Sequence, residues 1–204
     1  MNRWITYIIQ LDVMRYESDH KERTHRRIVK SAARRFRAEG LSGPAIASLM
    51  KASGLTVGGF YKHFRSKDDL LVEAIKEGLA DFSREEIVAL QRVPPGERWK
   101  ELVRRHLSLK HCDHPESGCP VAALAPEIAR AAPAVRKPVA GILTAFRTRL
   151  MQFMPGHTDA ERERSFNVIC PAMAGAISMA RIMPDPVERE KILDSVRDHL
   201  LKSF

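Results

Sequence analysis

Apolar residues recur at helical spacing along most of the chain, and no segment shows the two-residue alternation of a strand. Ile28, Ala32 and Phe36 form one stripe. They predict a helix from about Asp19 to Glu39, with Asp19 and Glu22 as a capping-box-like start and Gly40 as its stop. Ile46, Leu49 and Met50 give the face of a short second helix, expected to begin near Pro44 with Ser42 or Gly43 as its cap. Ala52-Ser53-Gly54 is a turn, where Gly54 supplies a positive φ. A third helix is expected from Thr56, its cap, to Phe64, anchored by Phe60 and Phe64 in the core. Leu71, Ile75, Leu79 and Phe82 mark a fourth, which Ser66 caps and Pro94-Pro95-Gly96 terminates. Further helical stretches lie at about 97–111, 120–132, 138–154, 159–183 and 186–202, with cap-like pairs at Thr158/Glu161 and Asp185/Glu188. The pattern predicts an all-α fold.

Two short helices joined by a glycine turn form a helix-turn-helix, whose second helix enters the major groove of DNA. Charge supports that reading. The formal net charge is +9. Thirteen Lys and Arg face four acids between Arg15 and Lys67, and the remainder of the chain balances to zero. The excess therefore coincides with the helix-turn-helix, as the electrostatic footprint of a DNA-binding domain joined to a neutral one. Arg26, Arg27, Lys30, Arg34, Arg35 and Arg37 surround the first helix's stripe and read mainly as solvated cations.

The segment Gly54-Leu55-Thr56-Val57-Gly58-Gly59-Phe60-Tyr61-Lys62-His63-Phe64-Arg65-Ser66-Lys67-Asp68-Asp69-Leu70-Leu71 resembles the signature of the tetracycline-repressor (TetR) family of bacterial regulators. The resemblance covers roughly Asp19 to Ile75; Pro44 departs from the family's usual Ser or Thr cap. It implies an N-terminal three-helix DNA-binding domain at 19–66 and a helical effector-binding and dimerisation domain at 67–204, with helix 4 linking the two. Residues 1–18 read as an extension, poorly ordered or loosely packed, and Met14 as a candidate initiator. The implied function is a ligand-responsive transcriptional regulator, a repressor by analogy, released from a palindromic operator by a small molecule. The expected partners are double-stranded operator DNA, an effector and a second copy of the chain.

The candidate DNA contacts are Thr56, Val57, Gly58, Tyr61, Lys62, His63 and Lys67. Gly58 lets backbone approach the duplex, and Val57 suits a thymine methyl. Tyr61, Lys62 and His63 can reach phosphates, and Lys67 resembles the family's phosphate-clamping lysine. For an apolar effector pocket the candidates are Trp99, Val103, His106, Leu107, Leu124, Phe146, Arg147, Leu150, Asn167 and Met173. The dimer face is expected on the last two helices, at Ala172, Gly175, Ala176, Met179, Leu193, Val196 and Leu200. Pro171 is expected to bend the first of these.

His106, His111, Cys112, His114 and Cys119 cluster in sequence without the spacing of a recognised zinc module. They admit a metal-dependent enzyme as a remote alternative; no paired carboxylates or nucleophile–base spacing support it, so no metal, cofactor or catalysis is expected. Cys119 before Pro120 reads as a helix start, where a thiol's pKa is lowered, so redox or electrophile sensing at Cys119 is the main alternative mechanism. Three cysteines and no bilayer-length apolar run suit a cytoplasmic protein that does not enter a membrane.

Overall fold

The computed structural model describes the backbone of residues 3–204 and the side chains of residues 19–204. Helix α1 spans Arg3–Glu39. It does not start at Asp19, because no proline or glycine interrupts residues 3–39 and the helix continues backwards through them. How the side chains of residues 1–18 pack lies outside the described residues. Ile28, Ala32 and Phe36 are fully buried, and Gly40 ends the helix with φ +79°.

Helices α2 (Ile46–Ala52) and α3 (Val57–Phe60) form the helix-turn-helix, with Gly54 at φ +69° between them. Neither Ser42 nor Gly43 caps α2. Its N-cap is Ala45, without a side-chain bond, and Pro44 is buried before it. Helix α4 (Lys67–Gln91) begins as expected, with Ser66 Oγ accepting from the Asp69 amide at 3.1 Å.

The C-terminal part holds α5 (Arg98–His106), α6 (Leu109–Asp113), α7 (Pro120–Arg130), α8 (Pro133–Met151), α9 (Asp159–Ala180) and α10 (Pro186–Ser203). The stretch expected as one helix at 97–111 breaks at Leu107. Ser108 then caps α6, accepting from the His111 amide at 3.2 Å. Thr158 and Glu161 form a full capping box. Helix α9 continues through Pro171. The described residues are all helix, turn and loop, with no strand.

Two hydrophobic cores organise these elements. One joins α1, α2, α3 and the first half of α4 to Leu124 and Ile128 of α7 and to Val135 and Val139 of α8. The other joins the second half of α4 to α5, α9 and α10. Helix α4 feeds both, through Leu70 to Leu79 on one side and Phe82 and Leu90 on the other. Helix α7 does the same, so the cores do not divide at residue 66: Ala122 belongs to one and Leu124 to the other.

Candidate functional site

The recognition element is shorter than its sequence suggests. Regular helix ends at Phe60, and Lys62 and His63 continue in tight turns, their amides bonded to the carbonyls of Gly59 (3.3 Å) and Phe60 (2.9 Å). Phe60 and Phe64 are buried with ring centroids 5.4 Å apart. That anchor leaves Thr56, Val57, Gly58, Tyr61 and Lys62 outward. Tyr61 is 68% exposed and Val57 48%, so both stand open on this face. Thr56 occupies the N-cap position but makes no side-chain cap bond, so its hydroxyl stays available on this face. A Cβ built on Gly58 meets nothing within 4 Å, so packing within the protomer does not demand a glycine there.

His63 is only half exposed. Burial, with His25 and the cations Lys21 and Lys62 nearby, lowers its pKa and keeps it neutral. His25 stacks on Phe64 at 4.6 Å and meets Glu73 Oε2 at 2.7 Å, which pins α1 to α4 beside the recognition element. Lys67 is half-buried at the first turn of α4, its ammonium 5.8 Å from the Phe36 ring centroid.

A second feature lies between the two cores, a cavity of about 700 Å³. Phe82, Phe146, Phe166, Leu150 and Met173 make much of its wall, and α7 contributes Val121, Ala125 and Pro126. Five of the sequence candidates line it: His106, Phe146, Arg147, Leu150 and Met173. Trp99, Val103, Leu107 and Leu124 do not; they are buried in the flanking cores. Asn167 is exposed on the outer side of α9 and does not line it. The sequence candidates omit Phe82, Phe166, Cys170 and Ser178. Cys170 was within reach, because it stands one helical turn before Ala174, on the same face of α9.

The His/Cys segment folds into a packed knot behind this cavity. His111 Nδ1 meets the carbonyl oxygen of His106 at 2.7 Å, and His111 Nε2 accepts from the Cys119 amide at 2.9 Å. Those two partners require the proton on Nδ1. Burial lowers the His106 pKa well below the usual value and that of His111 to about 4, so both rings are neutral near pH 7. His106 is 6% exposed, and its Nε2 has no hydrogen-bond partner among the described residues. Among those residues no three His, Cys, Asp or Glu side chains converge as a metal-holding group.

Cys119 does occupy the N-cap position before Pro120. It is buried at 4% exposure, and burial raises its pKa against the opposing pull of the Ala122 and Val121 amides and of Arg181 and Arg37. The expected lowering of this pKa is therefore overturned by desolvation. Cys170, also on the cavity wall, is pushed up to about 12 by burial.

A buried guanidinium and a half-buried one hold α6 and the loop that follows it. Arg37, 7% exposed rather than solvated, donates to the Glu116 carbonyl at 2.9 Å and to the Gly78 carbonyl at 3.2 Å. Arg181 of α9 donates to the carbonyls of Cys112 (2.9 Å) and His111 (3.1 Å). Glu127 of α7 adds a third link, accepting from the Leu41 amide at 2.8 Å. Sequence spacing carries no signal for these contacts, because each joins distant positions.

Of the residues expected at a dimer face, Ala176, Leu193 and Leu200 are buried inside the protomer's own core, where α9 packs on α10. Ala172 and Val196 are half-buried against the same core. Gly175 and Met179 are exposed on a stripe of α9 that also carries Val168 and that Ile182 continues in the turn after the helix; Gly175 and Met179 also line the cavity. Among the described residues no helix is long and apolar enough to cross a membrane.

Comparison with known proteins agrees with this geometry. Residues 28–74 match the family model described as bacterial regulatory proteins, tetR family. Curated protein sequences give no match. Among solved structures, a TetR transcriptional regulator from Chloroflexus aurantiacus is 25% identical and superposes with a TM-score of 0.72 over 90% of this chain and 95% of its own. FadR from Bacillus subtilis, solved with stearoyl-CoA, is 16% identical with a TM-score of 0.66, covering 87% and 98%. AibR, solved with isovaleryl coenzyme A and operator DNA, is 18% identical with a TM-score of 0.58, covering 86% and 97%. Residues 28–74 are thus a DNA-binding helix-turn-helix segment of the tetR family of bacterial regulators, and the chain as a whole shares the fold of a TetR transcriptional regulator.

Proposed function

We propose that the protein is a ligand-responsive repressor that binds a near-palindromic operator as a homodimer and leaves it when a small molecule fills the cavity. One observation carries this reading: α7 forms part of the cavity wall and part of the DNA-binding core at once. Val121 and Ala125 line the cavity, whereas Leu124 and Ile128 pack with Ile28 and Phe36. A ligand that displaces α7 therefore shifts the body carrying the recognition element. Helix α4, shared in the same way, moves with it.

Two recognition elements must stand ~34–36 Å apart to meet successive major grooves. A ligand that favours the wrong separation weakens DNA binding by a coupling of ~1–3 kcal/mol. The solved relatives with acyl-CoA ligands, one of them also on operator DNA, support small-molecule control within this fold. The exposed stripe Val168, Gly175, Met179 and Ile182 is the face we assign to the twofold partner.

Selection of bound fragments from genomic DNA, followed by release assays on the recovered operator, tests this function. Recovery of one inverted repeat, bound by two chains and released by an apolar compound, is the expected result. Fragments with no common sequence would overturn it.

A further inference from the structure

The chemistry of the cavity wall narrows what can occupy it. Its apolar surfaces come from Phe82, Phe146, Phe166, Leu150 and Met173. Arg147 is the only side chain among its described lining residues with a fixed charge, and Glu163 compensates it through an ion pair at Nη2. The hydroxyls of Ser178 and Thr144 are donors to backbone: Ser178 Oγ to the carbonyls of Ala122 and Ala174, both 2.9 Å, and Thr144 Oγ1 to that of Ala140 at 3.0 Å. What they leave toward a ligand is acceptor lone pairs. Cys119 and Cys170 stand protonated in the wall, because burial raises both pKa values.

His106 supplies the remaining polar group. A neutral imidazole offers one donor and one acceptor, and a hydroxyl can match either. A carboxylate only accepts, and it would bring an uncompensated charge beside a ring that burial keeps neutral.

We propose that the cavity selects an uncharged, largely apolar ligand whose polar function is a hydroxyl group, of the phenol class, and rejects carboxylates and coenzyme A thioesters built on the same apolar body. This inference rests on the reading above that the cavity is the effector site. It adds the chemical class. The aromatic rings on the wall favour a flat aromatic ligand through edge and offset contacts. The charge balance at Arg147 excludes the anion, because a buried charge without a partner is strongly disfavoured.

Titration calorimetry on the full-length protein with 4-hydroxybiphenyl, biphenyl-4-carboxylate and a biphenyl-carbonyl coenzyme A thioester tests the proposal. The wild type should bind the phenol about tenfold or more tightly than either anion. Glu163→Gln leaves the Arg147 charge uncompensated at the wall. It should bring the carboxylate to within a few-fold of the phenol while the phenol's own affinity holds. Glu163 is half-exposed, so the variant keeps the fold, which circular dichroism verifies. A wild type that binds either anion as tightly as the phenol overturns the ligand class and leaves the cavity as effector site standing. Binding of none of the three overturns both.

Discussion

The buried guanidinium of Arg37, on the helix that carries the DNA-binding core, holds the backbone carbonyl of Glu116, 79 positions away, in the loop that ends at the cavity wall. The same side chain reaches the Gly78 carbonyl of α4, where a Cβ would stand 2.7 Å from Nη1 and 3.2 Å from Pro120 Cγ. Helices α1, α4 and α7 thus meet at one point, which only a glycine and an extended cation fit together.

Removing this clamp should damage stability and signalling separately. Arg37→Met keeps apolar volume but takes the charged donor from the part-buried Glu116 carbonyl and leaves the Gly78 carbonyl only its helical bond, a loss of about 2 kcal/mol in denaturant unfolding. Ligand affinity should hold, because Arg37 does not line the cavity. The ratio of operator affinities without and with ligand should fall. Gly78→Ala, at a helix-interior position where alanine normally stabilises, should instead lower the melting temperature. An unchanged release ratio in Arg37→Met would show that the loop carries no signal.

Changes on the recognition face separate DNA contact from folding. Gly58→Ala adds a methyl with nothing within 4 Å, so unfolding should be unaffected or slightly strengthened. Operator affinity should nonetheless fall about tenfold if the backbone lies against DNA. Lys62→Ala should reduce the slope of log affinity against log salt by about one, similarly for all duplexes if the lysine meets a phosphate. Anisotropy titrations at several salt concentrations read both effects.

Acid should weaken the fold through the histidine knot. Above pH 6.5 His111 is neutral in the folded and the unfolded chain and contributes no pH dependence. Below 6.5 the unfolded chain takes up a proton that the folded one refuses until about pH 4, so stability falls across that window. His106, lowered further, acts with the same sign. Urea unfolding at pH 7 and 5.5 should differ by about 1 kcal/mol from His111, with His106 adding in the same direction. His111→Gln should lower stability at pH 7 and flatten the difference. A wild type equally stable at both pH values would contradict the buried neutral pair.

Association should depend on the outer stripe of α9. Val168→Glu and Ile182→Glu, neither of which lines the cavity, place charges where two copies are proposed to meet and should shift sedimentation from two chains to one at micromolar concentration. The protomer's core includes neither residue, so the helical signal should persist. A wild type that sediments as one chain removes the dimer.

Local chemistry made several features legible in advance. Gly40, Gly54, Ser66 and the Thr158–Glu161 pair act within a few residues, and each stands where its side chain or backbone freedom predicts. The recognition face was legible because Phe60 and Phe64 define its buried side by helical spacing alone. The cavity was half legible. His106, Arg147 and Met173 line it, but Leu124 and Val103 share the same apolar period and face other cores. Periodicity reports which side of a helix is buried, not which neighbour buries it. Arg37 looked like one more solvated cation because its partners, carbonyls of Gly78 and Glu116, carry no residue-type signature. Cys119 was placed correctly at a helix start, yet desolvation outweighs the amides that would lower its pKa.

The most direct measurement is equilibrium binding of the selected operator duplex across a salt series, with and without 4-hydroxybiphenyl. The expected result is two chains per duplex, an affinity that falls steeply with salt, and a further fall of at least about fivefold with the phenol. Absence of salt-sensitive affinity for any duplex, at low ionic strength and without ligand, would contradict it.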